Sequence, residues 1–221
     1  MTDSFIHDVP FRDVDHRLIA ILRGITPSET ESVVSLLLES GFTAIEVPLN
    51  SPDAFESIAI AASLVKRHLG SDGLVGAGTV LAADEVALVR SAGGNVIVSP
   101  DCYEPVIQMA IETNMTCFPG VFTASEAHRA LRAGASGLKL FPASQLGPAG
   151  IKALGAILPA GTPIYAVGGV DGDDFESYHE AGCFGFGIGS SLYKPQISHS
   201  DLQKKAESLI SRCQKLFYPS S

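Results

Sequence analysis

The sequence is short of several features that would define other classes of protein. Its four cysteines, Cys102, Cys117, Cys183 and Cys213, lie far apart, with no CxxC pair and no histidine at metal-ligand spacing. They read as reduced thiols filling structure in a cytosolic protein rather than as disulfides or metal ligands. Basic residues are scarce: 15 Lys and Arg stand against 24 Asp and Glu, a formal charge of −9 that argues against nucleic acid or an anionic membrane as partner. No apolar run reaches the length of a membrane span. The first 17 residues carry acids and histidines and no apolar core, so they are expected to form a short leader and not a signal peptide. No Pro/Ser-rich linker divides the remainder, which leaves residues 18–221 as one expected domain.

What is present is a regular alternation. Apolar strand-like runs begin at Leu18, Ala44, Leu74, Asn95, Thr116, Gly137, Ile164 and Gly185, and each is followed by a helical pattern. Thr26-Pro27 opens the first helix, which runs through Glu29 to Ser40, and Gly41 stops it. Ser51-Pro52-Asp53 is the expected cap of the second. A helix is expected over about 151–158, and an amphipathic one from Asp201 closes the chain. Eight strand–helix units imply parallel strands joined by crossover helices, and at this length a compact (β/α)8 TIM barrel. The rival, a doubly wound open sheet, usually has fewer units, and no full glycine fingerprint with a ribose-binding acid supports it.

Three charges break the apolar strands. Arg23 ends the first, Glu46 lies within the second and Lys139 within the sixth, each between apolar or small neighbours. Strand side chains alternate faces, so these three are expected to turn toward the barrel axis, near the end where barrel active sites lie. The alternative is a buried structural ion network, which is costly in desolvation. A desolvated lysine is partly neutral and nucleophilic. It can form an imine with a ketone, a carboxylate can move protons, and an arginine can hold a carboxylate. The set points to a 2-keto acid and to carbon–carbon bond cleavage or formation. Gly168-Gly169 after the seventh strand and Gly189-Ser190-Ser191 after the eighth stand where barrels often bind phosphate. The expected substrate is therefore a phosphorylated keto acid.

The runs Ile19-Ala20-Ile21-Leu22-Arg23-Gly24, Glu46-Val47-Pro48-Leu49-Asn50-Ser51-Pro52 and Gly76-Ala77-Gly78-Thr79-Val80 resemble the 2-keto-3-deoxy-6-phosphosugar-acid (KDPG/KHG) aldolases. So do Leu138-Lys139-Leu140-Phe141-Pro142, Ala166-Val167-Gly168-Gly169-Val170 and the run from Gly187 to Tyr193. The resemblance implies a class I aldolase with no metal and no cofactor, commonly a cytoplasmic homotrimer. It makes Lys139 the Schiff-base lysine and Glu46 the general acid/base. Arg23 and Thr79 would hold the keto-acid end, Pro100 and Phe141 line the pocket, and Gly168, Gly169, Gly189 and Ser190 bind phosphate. Gluconate-type members carry an arginine after the glutamate strand and a threonine before the Gly-Gly pair. Here Asn50 and Val167 stand instead, similar to the galactonate-type members. Losing the threonine hydroxyl removes one partner for the sugar chain and so bears on selectivity at C4. Phosphosugar epimerases or isomerases, and a non-catalytic phosphosugar-binding protein, are the competing readings of the same barrel.

Overall fold

The computed structural model describes residues 16–218. Apart from His16 and Arg17, the leader expected over residues 1–17 lies outside them. Strands and helices alternate as β1 (Leu18–Ile21), α1 (Pro27–Glu39), β2 (Ala44–Pro48), α2 (Ala54–Leu69), β3 (Leu74–Gly78), α3 (Ala83–Ser91), β4 (Val96–Val98) and α4 (Glu104–Glu112). Then come β5 (Thr116–Phe118), β6 (Gly120–Val121), α5 (Ala124–Arg132), β7 (Leu138–Leu140), α6 (Ala143–Gly155), β8 (Ile164–Val167), α7 (Phe175–Glu180), β9 (Gly185–Ile188) and α8 (His199–Phe217).

The paired strands are parallel, in the order β5-β4-β3-β2-β1-β9-β8-β7-β6. Only Pro119 separates β5 from β6, so the two ends of that order meet and the sheet is a barrel of eight strands, one of them in two pieces. The single strand expected over 116–120 is split because proline has no N–H to give to a ladder. Its carbonyl still accepts from Lys139 N at 2.9 Å, which carries the barrel across the gap.

Other boundaries also move. β1 stops at Ile21, so Arg23 lies in the following turn and not at the strand's end. The helix expected from about residue 151 starts earlier, at Ala143, and is broken at Gly147 (φ 66°, ψ 169°) before Pro148. Those two breakers hid its first turns. Asp53 is the N-cap of α2 as expected, but in a left-handed conformation and without a side-chain cap bond. In α1, Glu29 reaches back to accept from Thr26 N at 3.3 Å, closing the N-terminus that Thr26-Pro27 announced.

The outward strand residues pack under the helix ring. Cys117 and Cys183 are buried in that layer, and burial pushes both thiols up to about 12, so they act as apolar filler. Inside the barrel a second cluster, including Ile19, Val98, Phe118 and Tyr165, forms a floor. The rings of Phe118 and Tyr165 meet there at 4.8 Å between centroids. Full burial of each large floor side chain contributes about 1.5–3 kcal/mol. This floor closes the barrel's middle and leaves its C-terminal end open. Among the described residues no helix is long and apolar enough to cross a membrane.

Candidate active site

A cavity of about 380 Å³ opens at the C-terminal ends of the strands. Among the described residues, Glu46 and Lys139 are the only buried carboxylate and the only buried ammonium, and both line it. Each is the middle residue of its strand, facing inward because its neighbours (Ile45 and Val47, Leu138 and Leu140) face the helices. Glu46 is 2% exposed and Lys139 6%.

Burial decides the protonation of both. It raises the Glu46 carboxyl to about 7, against the opposing pull of the Lys139 and Arg23 charges. Burial likewise lowers Lys139, with Glu46 opposing the shift and Arg23 adding to it. Glu46 Oε2 is buried without a hydrogen-bond partner. A carboxyl poised near neutrality therefore shares one cavity with an amine shifted toward its neutral, nucleophilic form.

Glycines make the room. The inward positions of β3 are Leu74, Gly76 and Gly78, and a Cβ on Gly78 would occupy the place of the Glu46 carboxylate. On β9 the inward Gly187 leaves space for Val167, whose Cγ2 would lie 2.7 Å from a Cβ there. Alternating glycine in Gly76-Ala77-Gly78 and in Gly185-Phe186-Gly187-Ile188-Gly189 is the sequence signal for this hollowing. In the sequence these runs read as motifs, with nothing that marks Gly78 or Gly187 as part of the site.

The remaining expected residues converge on the same cavity from several loops. Arg23, though past the end of β1, lines it and donates from Nη1 to Asn50 Oδ1 at 2.6 Å and from Nη2 to Thr79 Oγ1 at 3.4 Å. Thr79 follows β3 and Pro100 follows β4. Phe141 places its ring centroid 4.8 Å from Lys139 Nζ, a cation–π contact, and packs its edge where a Cβ on Gly168 would stand. Val167, Gly168 and Gly169 come from the end of β8, and Gly189 and Ser190 from the end of β9. Gly168 (φ 90°) and Gly169 (φ 72°) are both left-handed, a conformation that glycine adopts without strain. The eleven residues expected as catalytic or substrate-binding thus all line one cavity, while Asn50, noted beside Val167, does not line it and instead accepts from Arg23. Asp171 and Ser191 line it too. Ser191 was legible only as part of the glycine–serine run, and nothing in the sequence marked Asp171.

Comparison with known proteins gives a consistent result. The family model described as KDPG and KHG aldolase matches residues 13–208. A protein of Rhizobium meliloti (strain 1021) named probable 2-dehydro-3-deoxy-6-phosphogalactonate aldolase is 49% identical over 198 residues, covering 90% of this chain and 92% of that one. The 2-dehydro-3-deoxy-6-phosphogalactonate aldolase of Escherichia coli (strain K12) is 46% identical over 193 residues, covering 87% and 92%. A solved structure described as native KDPGal superposes with a TM-score of 0.85 at 41% identity, covering 90% of this chain and 95% of that one.

Proposed function

The chain belongs to the KDPG and KHG aldolase family, and on that premise we propose how its cavity works: it reversibly cleaves 2-dehydro-3-deoxy-6-phosphogalactonate to pyruvate and D-glyceraldehyde 3-phosphate through an imine on Lys139. The observation that carries the mechanism is the burial of Lys139 and Glu46 together in one cavity, with their pKa values drawn toward neutrality.

Lys139 Nζ attacks the C2 keto carbon, and loss of water leaves an iminium. The Glu46 carboxylate takes the C4 hydroxyl proton as the C3–C4 bond breaks. The bond's electron pair passes into the iminium, giving an enamine, and the aldehyde leaves. Protonation of the enamine at C3 and hydrolysis of the iminium release pyruvate and restore the amine. The iminium is itself the electron sink, so this chemistry calls for no metal or organic cofactor. A carboxyl near 7 gives and takes protons with little driving force lost in either direction.

Arg23, braced by Asn50 and beside Thr79, holds the substrate carboxylate. Phe141 and Pro100 wall the reacting carbons. Gly168, Gly169, Gly189 and Ser190 hold the phosphate, which a chain of net charge −9 must bind through local donors. Val167 supports the galactonate epimer, since it offers the sugar chain no hydroxyl. A homotrimer in the cytoplasm fits the family reading. Exposed Leu81, Tyr103 and Phe122 support it, because they follow the neighbouring strands β3, β4 and β6 on one side of the rim. Sedimentation of the purified chain tests the trimer.

The test of substrate is kcat/KM for pyruvate release from the galactonate and gluconate epimers side by side. A preference for the galactonate epimer supports the reading. A preference for the gluconate epimer replaces it with the 2-dehydro-3-deoxy-6-phosphogluconate activity, and release from neither removes both.

A further inference from the structure

Helix α8 fastens both proposed phosphate loops from behind. Lys205 Nζ donates to the carbonyl of Ser191, in the loop after β9, at 2.7 Å. Seven residues on, and so on the same helix face, Arg212 reaches the loop after β8. Its Nη1 donates to the Gly172 carbonyl at 3.2 Å and pairs with Asp173 Oδ1 at 2.6 Å. The Arg212 stem lies flat on that loop, since a Cβ on Gly172 would stand 2.8 Å from Arg212 Cδ. The loop is tightened internally as well: Asp173 N donates to Asp171 Oδ1 at 2.9 Å, and Asp171 N to Asp174 Oδ2 at 2.9 Å. A cleft of about 320 Å³ lies between α8 and the two loops. Asp171 and Ser191 line both this cleft and the active-site cavity, and so form the wall between them.

We propose that Lys205 and Arg212 are positioning residues for the substrate phosphate. They set the spacing of the two loops so that the N–H groups beyond β8 and β9 converge on one anion. Neither side chain lines the active-site cavity, so neither touches the substrate. The inference rests on the phosphate end of the reading above. Both side chains are exposed, and exposed ion pairs add little to overall stability. Their loss loosens the loops and leaves the barrel folded. The imine end of the site, at Lys139 and Glu46, is untouched by it.

The test separates the two ends of the reaction. Condensation of pyruvate with D-glyceraldehyde 3-phosphate needs the phosphate loops, whereas deuterium uptake into the pyruvate methyl group in D2O needs only the imine and its base. In Lys205→Met the KM for the phosphorylated aldehyde is expected to rise about tenfold, the scale of one charge-assisted hydrogen bond, while kcat and deuterium uptake stay at wild-type values. Lys205→Arg restores the KM, and Arg212→Gln behaves like Lys205→Met. The difference persists at about 0.5 M salt, where a mere attraction between exposed charges is screened away. An unchanged KM, a parallel fall in deuterium uptake, or convergence with wild type at high salt overturns the proposal. The phosphate reading has its own control: wild type that condenses unphosphorylated D-glyceraldehyde as readily as the phosphate ester sinks that reading, independently of Lys205.

Discussion

Gly78 gives Glu46 its position: the backbone of β3 passes where the glutamate carboxylate needs space, and any side chain at 78 would fill it. The obstruction is the end of a flexible side chain and not backbone, so Gly78→Ala is expected to fold and to displace the carboxylate. A displacement of about 1 Å costs on the order of a hundredfold in rate. Steady-state cleavage kinetics, with circular dichroism as the fold control, check this. Wild-type kcat in the variant would show that the carboxylate's placement is not critical.

Protonation of Glu46 gives a pH signature in both rate and stability. In the proposed mechanism the carboxylate form removes the C4 hydroxyl proton, so kcat/KM for cleavage is expected to fall as pH is lowered through about 7. For stability, the folded pKa of about 7 lies above the ordinary value of 4.5. Between these values the folded state holds more protons than the unfolded one, so stability falls as pH rises through that window. Glu46→Gln removes the effect. It is expected to be inactive yet to melt higher than wild type at pH 8, with the gap closing toward pH 5. The gap is at most on the order of 3 kcal/mol, reduced by what Lys139 loses with its counter-charge. Melting curves across that range decide it, and a gap that widens toward pH 5 would contradict the assignment.

The Arg23–Asn50 bond links the arginine proposed to hold the keto acid to the loop after β2. Arg23→Ala is expected to raise KM for pyruvate in condensation by about 10- to 100-fold, the worth of a charge-assisted hydrogen-bond pair. Asn50→Ala leaves the charge in place and only frees it, so its effect is expected to be several-fold smaller. Equal effects of the two substitutions would mean that Asn50 touches the substrate itself.

Much of this was legible in the sequence, for definite reasons. Period-2 alternation around Glu46 and Lys139 predicts that both face inward, and both side chains line the cavity within the barrel. The eight-unit alternation shows where the strands end and hence which loops share the open face. Backbone continuity was less visible. Arg23 reads as strand because Leu18 to Leu22 is uniformly apolar, yet pairing ends at Ile21. Gly147-Pro148 reads as a loop although helix forms on both sides of it. Asp171 carried no signal, because its place in the cavity depends on a turn fixed by Asp173 and Asp174. The contacts of α8 with the loops after β8 and β9 were hidden for a similar reason: Lys205 and Arg212 read as ordinary exposed charges on an amphipathic helix.

The imine proposed on Lys139 is tested most directly by borohydride trapping with pyruvate followed by peptide mass mapping. Reduction turns an imine into a stable secondary amine on the lysine that formed it. One pyruvate-derived adduct is expected, on Lys139, absent from a Lys139→Met control. Folded, active protein that gives no adduct, or an adduct on another lysine, would contradict it.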